Sequence, residues 1–71
     1  MSNELGEALW IARDKKGYSL RKVEELTNIS NAYLSQLERG KATKPSPAML
    51  HKLSKHYECS YTKLMEIAGY I

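Results

Sequence analysis

The stretch SNAYLSQLERG, residues 30–40, carries hydrogen-bonding side chains and little charge. Asn31 and Gln36 are amides that both donate and accept hydrogen bonds, and two serines add hydroxyl groups. Leu34 and Leu37 lie three residues apart, which is the spacing of one helix face. The stretch therefore predicts a short helix that presents neutral donors and acceptors, a surface suited to recognising hydrogen-bonding edges rather than charge.

Positive charge is concentrated just after this stretch. Residues 1–38 hold five bases and six acids, and residues 58–71 hold one base and two acids, so each segment has a net charge of −1. Residues 39–57 hold five bases and no acid. These bases are Arg39, Lys41, Lys44, Lys52 and Lys55. A localised basic segment suits a polyanion such as DNA, although a solvated lysine-rich face has the same composition.

No arrangement typical of catalysis or metal binding occurs in the sequence. His51 and His56 lie five residues apart without cysteine or carboxylate companions at ligand spacing. There is no G-x-S-x-G turn and no glycine loop that would hold a phosphate. We expect Cys59 to act as a small buried hydrophobic residue. The sequence thus predicts a protein that is not an enzyme and uses neither a cofactor nor a metal.

The length and composition favour one small domain over residues 1–71. Apolar residues make up 42% of the chain, enough for a core, and charged residues make up 27%. No apolar run approaches the roughly 18 residues that span a bilayer, and no signal-peptide pattern is present. With a single cysteine, these features predict a cytoplasmic protein that does not associate with membranes.

Apolar spacing and helix-breaking residues divide the chain into short helices. The first is predicted over residues 3–16, and the second follows an N-cap at Ser19 and ends at Asn28. The third follows an N-cap at Ser30 and ends before Gly40. The expected inner residues of these helices are Leu5, Ala8, Leu9, Ala12, Leu20, Val23, Leu26, Leu34 and Leu37.

Two further helices are predicted in the second half of the chain. Ser46 and Pro47 have the N-cap and first-helical-position pattern of a fourth helix, and Ser60 caps a fifth. Their apolar stripes are Met49, Leu50, Leu53 and Tyr57, then Tyr61, Leu64, Met65 and Ala68. The predicted fold is all-α, with five short helices.

The second and third helices, separated by a short turn, form a helix-turn-helix pattern over residues 19–39. Here the sequence YSLRKVEELTNISNAYLSQLERGKATKPS resembles the Cro/lambda-repressor-like (XRE-type) family of helix-turn-helix transcriptional regulators, and the resemblance covers nearly the whole chain. It implies a compact five-helix domain that binds double-stranded operator DNA, usually as a dimer and often as a repressor. The third helix would lie in the major groove.

Two residues depart from the family pattern. Asn28 stands where the family usually has glycine, and asparagine is the next residue that tolerates the left-handed conformation. Glu24 stands where the family usually has alanine, so we expect its carboxylate to point outward or to pair with a basic residue.

The resemblance assigns roles to the polar residues of the motif. Base contacts are expected from the third helix, at Asn31, Ala32, Ser35 and Gln36. Asn31 and Gln36 point roughly 140° apart on a helix, so Gln36 would contact bases that flank those contacted by Asn31. Contacts to the DNA backbone are expected from Ser19, Arg21, Ser30, Tyr33, Arg39, Lys41, Thr43 and Lys44. In the family a late arginine of the first helix pairs with a glutamate that ends the third, which implies a structural ion pair between Arg13 and Glu38.

The last helix and the tail offer a dimer surface. Its candidate residues are Tyr61, Met65, Ile67, Tyr70 and Ile71, although the same residues would also suit closure of the core. Trp10 and Ile11 lie off the first helical stripe and suggest either a second contact surface or the cover of a gap left by the N-terminal tail. The alternative function is an antitoxin or protein-interaction module of the same fold.

Overall fold

The computed structural model describes residues 3–42 and 44–71. Within these residues the chain forms five α-helices and no strand, which confirms the predicted all-α fold. The helices are α1 (Glu4–Lys16), α2 (Leu20–Thr27), α3 (Asn31–Glu38), α4 (Pro47–Tyr57) and α5 (Tyr61–Ala68).

Serine side chains fix the starts of four helices. Each serine hydroxyl oxygen accepts a hydrogen bond of 3.0–3.2 Å from the backbone N–H three residues later. The first N–H groups of a helix lack partners within the helix, and these bonds satisfy one at each start. The capping serines are Ser19, Ser30, Ser46 and Ser60. At the end of α2, Asn28 adopts the left-handed conformation with φ 63°, as its side-chain type predicts.

One core joins the five helices. Its buried apolar residues are Leu9, Ala12, Val23, Ile29, Leu34, Leu37, Leu50, Leu53, Tyr57 and Leu64. α3 packs against α1 and α2, while α4 packs against α1, α2 and α5. These contacts anchor the inner side of α3 and leave its other side to solvent.

The inner face of α2 differs from the sequence prediction at one position. Leu26 was expected to face the core, but it is only half-buried, and Thr27 is buried instead. Thr27 donates its hydroxyl proton to the Val23 carbonyl at 2.7 Å and accepts a 3.2 Å bond from the Ile29 N–H. This polar residue is buried because both its donor and its acceptor are satisfied, and it closes the turn into α3.

Candidate nucleic-acid interface

The exposed side of α3 carries most of the residues predicted to contact bases. Asn31 and Ala32, the first two residues of the helix, are exposed, as is Gln36 one turn later. Ser35 is half-buried and less available. The outward face of α3 therefore presents two amides and a methyl group, without an ionised side chain among them.

Asn31 is held by a residue of the preceding helix. Its Nδ2 donates a hydrogen bond of 2.6 Å to Oε1 of Glu24. Glu24 was expected to point outward or to pair with a basic residue; its carboxylate accepts this exposed bond from an amide and not from a base. Glu24 is half-buried, and this bond joins its carboxylate to the first residue of α3.

The end of α3 is tied to α1 by the ion pair that the resemblance implied. Arg13 Nε donates to Glu38 Oε2 at 2.7 Å, and Arg13 Nη2 donates to Glu38 Oε1 at 3.0 Å. A third bond, 2.8 Å long, runs from Arg13 Nη1 to the Tyr18 carbonyl. The two side chains are only 15% and 10% exposed. The hydrogen bond to Glu38 raises the pKa of Arg13. The two hydrogen bonds between the side chains hold the end of α3 through a charge-assisted, two-point contact.

A second attachment of α3 to α1 involves residues that sequence reasoning missed. Asn3 Nδ2 donates a 2.8 Å hydrogen bond to the Glu38 carbonyl. Gly6 is buried beside it, and a Cβ at this position would lie 2.5 Å from the same carbonyl oxygen. A glycine inside a predicted helix was the available signal, because such a residue often marks close approach of another backbone.

The part of the basic segment that directly follows α3 contacts both the last turn of α3 and the C-terminal tail, residues 69–71. Lys41 N–H donates to the Gln36 carbonyl at 2.8 Å, which ties the segment to the last turn of α3. Tyr70 donates its hydroxyl proton to the Pro45 carbonyl at 2.7 Å, and Lys44 Nζ lies 4.1 Å from the centre of the Tyr70 ring. Lys41 is therefore attached to α3, and Lys44 lies against the ring of Tyr70.

Most of the remaining backbone-contact candidates lie on the surface. Arg21, Arg39, Lys41 and Lys44 are exposed. Ser19 and Ser30 are also exposed. Each serine hydroxyl oxygen accepts the capping hydrogen bond described above, so its proton remains available to donate. Tyr33 is half-buried against the core. Thr43 lies outside the described residues.

The dimer candidates have unequal surroundings. Tyr61, Met65, Ile67 and Tyr70 are half-buried, and all but Ile67 pack partly against the core. Ile71 is 70% exposed. Trp10 and Ile11 on α1 are also large and exposed, at 50% and 47%.

Cys59 is half-buried, and burial raises the pKa of its thiol.

Other kinds of site have little support in the described part of the chain. Residues 3–42 and 44–71 contain no group of three histidine, cysteine or acidic residues placed to hold a metal ion. His51 instead packs edge-on against the Tyr61 ring, with the ring centres 5.3 Å apart. None of the described helices is both long enough and apolar enough to cross a bilayer.

Comparison with known proteins finds one matching family model and several similar sequences. A family model described as "Helix-turn-helix" matches residues 11–64. The chain is 36% identical over 62 residues to the HTH-type transcriptional regulator SlrR of Bacillus subtilis, covering 87% of this chain and 41% of that protein. It is 33% identical to the HTH-type transcriptional repressor RghR of Bacillus subtilis, covering 93% of this chain and 49% of that protein.

A solved structure shares both the fold and part of the sequence. The chain is similar to the protein in the crystal structure of SinR, a master regulator for biofilm formation, in complex with DNA. The TM-score is 0.79 and the identity 34%, over 86% of this chain and 97% of that one. The chain spans about half the length of the curated relatives it matches.

Proposed function

This chain belongs to the helix-turn-helix family of DNA-binding transcriptional regulators, and from this premise we propose that it binds double-stranded operator DNA sequence-specifically. Residues 1–71 act as one DNA-binding domain, with α3 in the major groove. The family is not one of enzymes, and the similar SinR structure is a complex with DNA.

The observation that carries this proposal is the uncharged outward face of α3 on a firmly held helix. Asn31, Ala32 and Gln36 face solvent, whereas Leu34 and Leu37 anchor the opposite side. Amides and a methyl group match the donors, acceptors and thymine methyl of the major groove. Charged residues at these positions would attract phosphate at any sequence, whereas neutral ones discriminate between bases.

The DNA backbone is held by the groups around this face. The N-terminus of α2, near Ser19 and Arg21, and the N-terminus of α3 at Ser30 supply N–H and hydroxyl donors for phosphates. Arg39, Lys41 and Lys44 follow α3 and supply positive charge. Tyr33 and Thr43 complete the proposed set of backbone contacts.

We further propose that the domain acts as a homodimer on a two-fold symmetric operator. One small domain offers limited contact area, and pairing doubles it. The surface around Ile67 and Ile71 at the end of α5 is the proposed contact, with Tyr61, Met65 and Tyr70 at its edge. A cytoplasmic repressor that occupies promoter DNA fits both this arrangement and the similarity to RghR.

A second candidate function is favoured by the exposed apolar residues of α1. Trp10 and Ile11 are about half exposed, and neighbouring exposed apolar residues often mark a protein contact. The same fold would then act as an antitoxin or protein-interaction module, with DNA binding minor or absent.

Binding of the whole chain to random-sequence duplex DNA, measured at two salt concentrations, separates the two functions. A DNA-binding domain binds at low salt and weakens steeply as salt rises, because phosphate contacts release counterions. Absence of binding at low salt would overturn the proposal and favour the interaction module.

A further inference from the structure

We infer that Glu24 is a specificity-determining residue, which holds the Asn31 amide in the orientation that reads adenine. This inference rests on the proposed function and extends it from DNA binding in general to one side chain and one base. It starts from the 2.6 Å hydrogen bond between Asn31 Nδ2 and Glu24 Oε1.

The chemistry of Glu24 determines which way the amide faces. An ionised carboxylate only accepts hydrogen bonds, so it binds the NH₂ end of an amide and not the oxygen. Asn31 is the first residue of α3 and is exposed, so its side chain would otherwise rotate and flip freely. The bond to Glu24 removes that freedom before any DNA arrives.

The held amide keeps one donor and one acceptor for a ligand. The NH₂ group carries two hydrogens, of which Glu24 uses one, and the Asn31 carbonyl oxygen remains available. Adenine alone presents an acceptor beside a donor in the major groove, at N7 and the N6 amino group. One donor and one acceptor on a single amide match that pair.

The same bond disfavours guanine. Guanine presents two acceptors, N7 and O6, and a free amide can turn both hydrogens toward them. Because Glu24 holds one hydrogen, Asn31 has a single donor for the two acceptors of guanine. When it donates to N7, its carbonyl oxygen faces guanine O6, and two acceptors form no hydrogen bond. Thus Glu24 selects against a competing base without itself contacting DNA.

Base preference measured by binding to duplexes tests this assignment. The operator position read by Asn31 is the one whose preference disappears in Asn31→Ala, and it should be adenine. A good amide–adenine pair discriminates by roughly tenfold or more. Glu24→Ala should reduce that discrimination about threefold to tenfold, because Asn31 must then be ordered on binding. Affinity for unrelated DNA should stay the same or rise, since a negative charge is removed.

Two variants separate positioning from charge and from folding. Glu25→Ala removes the same charge from the neighbouring exposed position of α2 and should leave the base preference unchanged. The double variant Glu24→Ala/Asn31→Ala should discriminate no less than Asn31→Ala alone, because Glu24 acts through Asn31. A purely structural role for Glu24 would instead lower affinity for all sequences alike.

A measurement without DNA tests the contact between Glu24 and Asn31 separately from the proposed function. In the nitrogen–proton NMR spectrum, Glu24→Ala should shift an Asn31 side-chain amide resonance, and Glu25→Ala should not. An unshifted resonance, a base other than adenine at the Asn31-dependent position, or unchanged discrimination in Glu24→Ala would overturn the inference. Failure of the chain to bind any DNA would overturn the proposed function, while the amide shift would still report the Glu24–Asn31 contact.

Discussion

Arg13 and Glu38 lie 25 residues apart in the chain, yet they join α1 to the end of α3 through two hydrogen bonds of 2.7 and 3.0 Å. Both side chains are largely withdrawn from water. A charge in such a place depends on its partner, because removing one member leaves the other poorly solvated. The orientation of α3 relative to the core therefore depends on this pair.

Arg13→Ala should lower the free energy of unfolding by about 2–3 kcal/mol, which is below the range for a fully buried pair because some solvent contact remains. Urea unfolding followed by circular dichroism measures this loss. Lys16→Ala is the matched control, because Lys16 pairs with Glu58 at the surface, where ion pairs contribute little. Equal effects of the two substitutions would contradict a structural role for the Arg13–Glu38 pair.

Gly6→Ala should destabilise the domain by about 1–3 kcal/mol, as an added methyl group in a packed site does. The new Cβ would lie 2.5 Å from the Glu38 carbonyl oxygen, and a backbone atom cannot move aside cheaply. In an open helix the same change would stabilise by up to about 1 kcal/mol. Thermal unfolding distinguishes the two, and a more stable variant would show that α1 and α3 do not approach closely here.

Tyr70→Phe should weaken binding to every DNA sequence by about twofold to fivefold. It removes the hydroxyl bond to the Pro45 carbonyl, which is of the order of 1 kcal/mol, and frees the segment that carries Lys41 and Lys44. Fluorescence anisotropy with two unrelated duplexes measures the affinity of this variant, and unchanged affinity in Tyr70→Phe would show that the tail does not brace the segment.

The double variant Lys41→Ala/Lys44→Ala should weaken binding to all sequences, because the proposed contacts are to phosphates. The slope of log affinity against log salt should become less steep by roughly two units, about one for each lost contact. Lys63→Ala removes an exposed charge from α5 and should leave the slope unchanged. If the double variant keeps the original slope, the segment after α3 does not contact phosphate.

The local features of the fold could be predicted from the sequence. The four serine caps and the left-handed Asn28 follow from short-range rules about helix ends, and the spacing of Leu34 and Leu37 gives the inner side of α3. The prediction for the inner face of α2 was partly wrong. The Thr27 hydroxyl forms hydrogen bonds to two backbone groups, so Thr27 replaces Leu26 in the interior.

The contacts that could not be predicted join residues distant in the chain. Glu58 ends α4 in the left-handed conformation, with φ 55°, and its carboxylate pairs with Lys16 of α1. The next residue, Cys59, is half-buried, and this loss of solvation raises the pKa of its thiol. The placement of Gly6 and Tyr70 likewise depends on how helices meet, which helical spacing alone does not determine.

The candidate site was predicted as a set of residues but not as a geometry. The exposed positions of α3 follow from the helical period, and the ion pair was implied by family resemblance. The bond between Glu24 and Asn31 crosses the turn between two helices. Its length and direction depend on the angle between α2 and α3, so the sequence indicated an unusual glutamate without naming its partner.

Selection of bound duplexes from a random pool by the whole chain tests the central claim most directly. We expect an enriched sequence with two symmetric half-sites about 34 Å apart, centre to centre, and loss of preference at one position of each half-site in Asn31→Ala. A bound pool with no more sequence preference than the starting pool would contradict the claim that α3 reads bases, and a preference that is the same in Asn31→Ala would contradict base reading by Asn31.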